Sequence, residues 1–366
     1  MKKAVYFFLI FLSVFLICTL AASAEFIESS GAQDVYNSLS GETRELMERF
    51  GVSGADASDI FDVSFGSIMN AVISVVKDNV KAPLMFFFKL LGMLVLISVV
   101  KSMSGEGNEN LEMFCVLLCA AVSVKEISEC INALLSACDL CGKFLLAYVP
   151  VFAVIVSVSG SAATALTYNS AVLTAAQLIS AASTKLFMPL CGILMSLGIS
   201  FSLNETVSAQ RLTGAINKAI TFFVGICSSF FAALLTLRGV MSAGADSMAT
   251  RGVRMALSSF IPVVGGAISE AYSSVLGSLS IIKGSVAVFG IAAVFALNLP
   301  VLIQAGLYGL SLSAASFFAD SFSQSGMSGV LRCIGCAVKL MSALAAMEIF
   351  LIVISTGILL VMKGST

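Results

Sequence analysis

Residues 250–304 read TRGVRMALSSFIPVVGGAISEAYSSVLGSLSIIKGSVAVFGIAAVFALNLPVLIQ. Two arginines, Arg251 and Arg254, open the stretch. A Phe-Ile-Pro-Val break follows at Phe260, Ile261, Pro262 and Val263, and Gly265 and Gly266 come directly after it. A largely apolar run then carries one acid, Glu270, and one base, Lys283, before an uninterrupted hydrophobic span. Charges set into apolar sequence are costly in lipid, so they face protein or water. A proline beside two glycines at membrane depth marks a broken or re-entrant helix. Such a break is viable only where other helices cover the freed backbone groups.

The composition agrees with this reading. Hydrophobic residues make up 58% of the 366 and charged residues only 11%, where a soluble domain carries about a quarter charged. The mean hydropathy is +1.03. The apolar blocks are continuous rather than alternating, which excludes a β-barrel pattern. The chain is therefore an all-α, polytopic helical membrane protein with the lipid bilayer as its first partner. With a net charge of −1, no nucleic-acid partner is indicated. Histidine is absent, which removes the commonest general base and metal ligand.

Outward from that stretch, residues 1–24 have the form of a secretory signal peptide. Lys2 and Lys3 precede an apolar core, and Ala22-Ser23-Ala24 fits a small-x-small cleavage site. An uncleaved first membrane helix is the alternative. Residues 25–82 form an acidic extracytoplasmic segment, with ten acids against four bases and a net of −6. Within it, Ser40 caps a short helix over residues 41–50. Residues 65–80 space their apolar side chains as a helix lying on the membrane or against the bundle.

Residues 83–366 form the polytopic domain. Apolar stretches at 83–100, 144–158, 186–203, 219–237, 284–303, 305–318 and 333–362 give about seven mature spans. The stretch 111–124, short for a full span, belongs to a helix over 111–141 that either runs on out of the bilayer or crosses with its charged face buried. Residues 159–184 are rich in Ser, Ala and Thr, which suits an interior helix approached closely by its neighbours or one lining a water-filled path. Lys89 sits near enough to a span end to snorkel. The linker at 238–254 is the most basic connection, and the positive-inside rule places it in the cytoplasm.

No catalytic constellation is present. Without histidine there is no Ser/His/Asp or Cys/His arrangement, and no G-x-x-x-x-G-K-[ST] phosphate loop occurs. The expectation is a protein that is not an enzyme and has no cofactor. Cys138-x-x-Cys141 and Cys333-x-x-Cys336 would make a four-thiolate metal site only if both pairs converged. Small residues packed between helices are the simpler reading, so no metal site is assigned. Arg251 and Arg254 suit lipid phosphates, a partner's acids, or topology. Glu270, Lys283 and Asp320 suit either a proton or ion relay or paired structural charges.

The run Arg251-x-x-Arg254, Phe260-Ile261-Pro262-Val263-x-Gly265, Glu270, Ile281-Ile282-Lys283 and Gly290 resembles the stage III sporulation protein AE family of endospore-forming bacteria. The Arg238-Gly239 turn and Asp246 are also placed as in that family. The resemblance is strongest from about residue 186 to 310, and the external segment matches no motif. It implies an integral membrane subunit of the sporulation channel or secretion complex linking mother cell and forespore. The implied location is the mother-cell membrane around the forespore. The implied partners are other proteins of the same sporulation operon and a forespore-membrane protein. On the residues alone, a small-solute transporter or permease stays open. So does a scaffold in which Glu270 and Lys283 are buried against each other. The candidate positions are Arg251, Arg254, Pro262, Gly265, Glu270 and Lys283.

Overall fold

The computed structural model describes residues 32–49, 65–104, 109–203, 209–260 and 265–361. The signal-peptide pattern lies outside them. The described residues form helices α1 (Ala32–Asn37), α2 (Gly41–Arg49), α3 (Phe65–Asn79), α4 (Lys81–Ser104), α5 (Glu109–Val158) and α6 (Ala162–Ala182). A π-turn (Ser183–Phe187) joins α6 to α7 (Met188–Ser202), and α8 (Ala209–Phe260), α9 (Gly265–Ser321) and α10 (Ser325–Val361) complete the chain.

The membrane class is plain in the surface. Five helices among the described residues are long and apolar enough to cross a bilayer: Lys81–Met103, Leu111–Val158, Ala162–Ser202, Ser269–Ser321 and Ser325–Gly357. Phe88, Leu96, Phe114, Leu178, Leu310 and Phe317 are each more than half exposed. A water-facing surface rarely shows that much apolar area, but lipid accepts it.

Stretches that hydropathy separates run together in the structure. Residues 111–124 and 144–158 belong to one 50-residue helix, α5. Residues 284–303 and 305–318 belong to one 57-residue helix, α9, with Pro300 inside it. At 1.5 Å per residue these helices are about 75 and 85 Å long, well beyond a hydrocarbon core of about 30 Å. Two ion pairs lie along the charged middle of α5, one to α4 and one within the helix. Lys89 of α4 pairs with Glu126 at 2.9 Å, and Lys143 with Asp139 at 2.7 Å. Lys89 is thus an ion-pair partner rather than only a snorkelling anchor. The expected break at Phe260, Ile261, Pro262 and Val263 falls on residues 261–264, which lie outside the described residues.

Helix α10 is the hub. It packs on α5, α6, α7, α8 and α9, most extensively on α9. Two apolar cores lie along these rods. The first joins Phe144, Tyr148 and Phe152 of α5 with Tyr168 of α6 and Phe289 of α9. Tyr148 stacks on Phe144 and Phe152 with ring centroids 5.4 and 5.5 Å away. Its hydroxyl donates to the carbonyl of Val286 at 2.9 Å. The ring passes over Gly290, the one residue type that leaves it room. The second core joins Leu90 and Leu94 of α4, Leu134 of α5, Leu194 of α7, Leu312 of α9 and Ile334 of α10.

The short helices close the first core. The Thr43 N–H bonds to Ser40 Oγ at 3.3 Å, so Ser40 caps α2 as its position suggests. Val35, Tyr36, Leu39 and Met47 are buried in that core, and the Arg44 guanidinium lies 5.8 Å from the Tyr36 ring centre. Helix α3 packs against α2, α4 and α9, with Ala71 and Val75 buried.

Candidate functional site

Just before the stretch that organises the sequence, Asp246 ties α8 to the start of α6. Helix α6 begins at Ala162, and its N-cap residue Ser161 makes no side-chain cap. Asp246 of α8 supplies the cap instead. Its Oδ1 accepts from the Ala163 N–H at 2.8 Å, and its Oδ2 from the Thr164 N–H at 2.9 Å and the Thr164 hydroxyl at 2.6 Å. A carboxylate there satisfies two of the free N–H groups of the first turn and meets the positive end of the helix dipole. One turn on, the Thr250 hydroxyl donates to the Asp246 carbonyl at 2.9 Å and reaches the Gly160 carbonyl at 3.5 Å. Gly160 has φ +83°, a left-handed turn that favours glycine, and Leu276 of α9 packs beside it. The α5–α6 turn, α8 and α9 are therefore fixed at one point.

In sequence, Asp246 is only an acid among three arginines. Its partners lie 82 and 83 residues away. The one local sign is the Asp246/Thr250 spacing, which sets both on a single helical face.

Five of the six candidate positions lie among the described residues. Arg251 and Arg254 are exposed on the last turns of α8. Pro262 lies outside the described residues. Gly265 opens α9. Glu270 is exposed, whereas Lys283 is buried with 2% of its surface accessible. Thirteen residues apart on one helix, these two stand about 20 Å apart along the axis and on nearly opposite faces. They are not buried against each other. Asp320, at the far end of α9, is ion-paired with Arg332. The three relay candidates thus do not converge.

The two Cys-x-x-Cys pairs also stand apart. Cys138 and Cys141 lie beside Glu348. Cys333 packs on Gly198, and Cys336 lies 3.7 Å from Asn217 Oδ1. Glu348 is twelve residues beyond Cys336, about 18 Å along α10. Among the described residues no three of His, Cys, Asp and Glu gather as a metal-binding group. A cavity of about 230 Å³ opens between α8, α9 and α10, lined by Thr213, Asn217, Ser313, Ser316, Arg332 and Lys339 among others.

The family model described as stage III sporulation protein AE matches residues 54–363. The stage III sporulation protein AE of Bacillus subtilis (strain 168) is 21% identical over 180 residues, covering 49% of this chain and 45% of that relative. The chain thus spans about half the length of the curated relative it matches. No solved structure matches. The match includes α3 to α10, the Asp246 clamp and every candidate position, and with the lipid-facing helices it fixes the kind of protein this is. The chain belongs to the stage III sporulation protein AE family, membrane proteins with a role in sporulation.

Proposed function

We propose that the chain is an integral membrane subunit of a channel or secretion complex that links mother cell and forespore, and that forespore development after engulfment depends on it. The family match over residues 54–363 carries this reading. The proposed place is the mother-cell membrane around the forespore. The proposed partners are proteins of the same operon and a forespore-membrane protein. In this reading the chain is not an enzyme. It supplies a rigid helical frame, and the exposed Arg251 and Arg254 are available to a partner's acids or to lipid phosphates. Purification of the tagged chain from sporulating cells tests it. Operon partners should co-purify, and their absence from crosslinked as well as native preparations would remove the complex from the account.

The second reading, a small-solute transporter or permease, has the polar cavity in its favour. Its volume of about 230 Å³ suits a small anion, with Arg332 and Lys339 in its wall. Uptake of small anions into vesicles holding the purified chain separates the two readings.

A further inference from the structure

Glu348 lies where the two cores meet. On α10, Leu344 and Ala345 belong to the second core, and Leu351 and Ile352 to the first. The same seam crosses α5 between Cys138 and Cys141, α9 between Ala296 and Ala305, and the α6–α7 rod between Ile179 and Phe187. Polar side chains fill this seam. Glu348 is 1% accessible, Asn298 0% and Ser183 1%. The Cys141 thiol lies beside Asn298 and Glu348, and the Cys138 thiol beside Ser183, whose hydroxyl donates to the Ile179 carbonyl at 2.8 Å. The Asn298 amide donates back to the Val294 carbonyl at 3.1 Å.

Two buried acceptors in the seam find no donor among the described residues: Glu348 Oε2 and Asn298 Oδ1. The titratable groups facing Glu348 are the thiols of Cys138 and Cys141 from α5. Helix α9 presents Asn298, which does not titrate. Helices α6 and α7 contain no Asp, Glu, Lys or Arg, and Lys185 in the π-turn between them is exposed. Lys339 of α10 is exposed and nine residues back, about 13 Å along the axis. A bare carboxylate buried without a cation or a full set of donors is among the most costly groups a helical bundle can hold.

We propose that Glu348 is a proton-binding site in the membrane interior, closed between the two cores when its carboxyl carries the proton. A proton suits the place on two counts. It removes the charge, and it turns one of two donorless acceptors into a donor. Release gives the carboxylate and a proton taken up by water, so water must enter the seam. Two helical rods depart from regular α-helix at that level. The π-turn Ser183–Phe187 widens one rod there, and Pro300, two residues past Asn298, deletes a helix hydrogen bond in another. The inference concerns the chain's own chemistry and does not depend on the complex it joins.

Infrared spectroscopy of the full chain in lipid nanodiscs tests it, with Glu348→Gln and Glu126→Gln compared with the unaltered protein. The expected result is a protonated-carboxyl C=O band at neutral pH that vanishes in Glu348→Gln, persists in Glu126→Gln and is unchanged when sodium replaces choline. No such band, a band that survives Glu348→Gln, or conversion to carboxylate on adding sodium would overturn the proposal. A second readout needs no variant. Dicyclohexylcarbodiimide adds to protonated carboxyls in apolar surroundings, so peptide mapping of the unaltered chain should find the adduct at Glu348, forming more slowly as the medium is made alkaline. No adduct at Glu348 at any pH also overturns it.

Discussion

Replacing Gly290 by alanine would set a methyl group 2.7 Å from Cε1 of Tyr148 and closer still to its Cζ and hydroxyl oxygen. The ring has nowhere to go. It is held between Phe144 and Phe152, touches Phe289 and is tied to the Val286 carbonyl. Either α5 and α9 move apart or the ring leaves its stack. Overpacking a filled core costs about 1–3 kcal/mol, and the hydrogen bond that goes with the displaced ring is worth about 1 kcal/mol, so the loss comes to roughly 2–4 kcal/mol. The buried free cysteines provide the assay, since a thiol-reactive fluorophore reports their exposure as the detergent-solubilised chain is heated. Gly277→Ala on the same helix is the control, because a Cβ there meets nothing within 4 Å. Alanine in place of a helical glycine should stabilise by about 0.5–1 kcal/mol. Tyr148→Leu in the Gly290→Ala background should recover part of the loss, giving a coupling energy on the order of 1 kcal/mol or more. Equal melting temperatures for Gly290→Ala and the unaltered chain would refute the close approach of α5 and α9.

Asp246→Ala should lower stability by about 1–2 kcal/mol through loss of the α6 cap, with faster amide exchange at Ala163 and Thr164, and Asp246→Asn should do less harm. Unchanged exchange at those two amides would remove the clamp. In the Lys89–Glu126 pair, removing both side chains should cost less than the two single changes added together, with a coupling of at most about 1 kcal/mol because Lys89 is half exposed. Cys119, Cys141, Cys191 and Cys336 are each no more than 2% accessible, so an impermeant maleimide should leave them unmodified in the folded chain. Modification of all four without unfolding would contradict the packing around α10.

The class of fold is legible in the sequence because it rests on composition and continuous apolar runs, which depend on no distant contact. The Ser40 cap is legible for a similar reason: a hydroxyl acts within a turn of where it stands. Helix lengths are not. Hydropathy leaves open whether the helix from residue 111 runs on through Lys125, Glu126 and Glu129, and the partner of Glu126, Lys89, comes from another helix. The Asp246 clamp is hidden because what makes it a cap is an unfilled helix terminus more than 80 residues upstream. Glu348 is visible as an intramembrane acid. Its place in the seam is not, since that depends on α5 and α9 bringing Cys141 and Asn298 to it. The π-turn at Ser183–Phe187 has no residue signature, and only Pro189, just inside α7, stands near it.

Deletion of the gene in the source organism, assuming that it sporulates, tests the central claim most directly, with heat-resistant spores counted and forespores imaged after engulfment. The account predicts normal engulfment followed by small, collapsing forespores and few heat-resistant spores, all restored by the intact gene. Full spore yield with normal forespores in the deletion strain would contradict it.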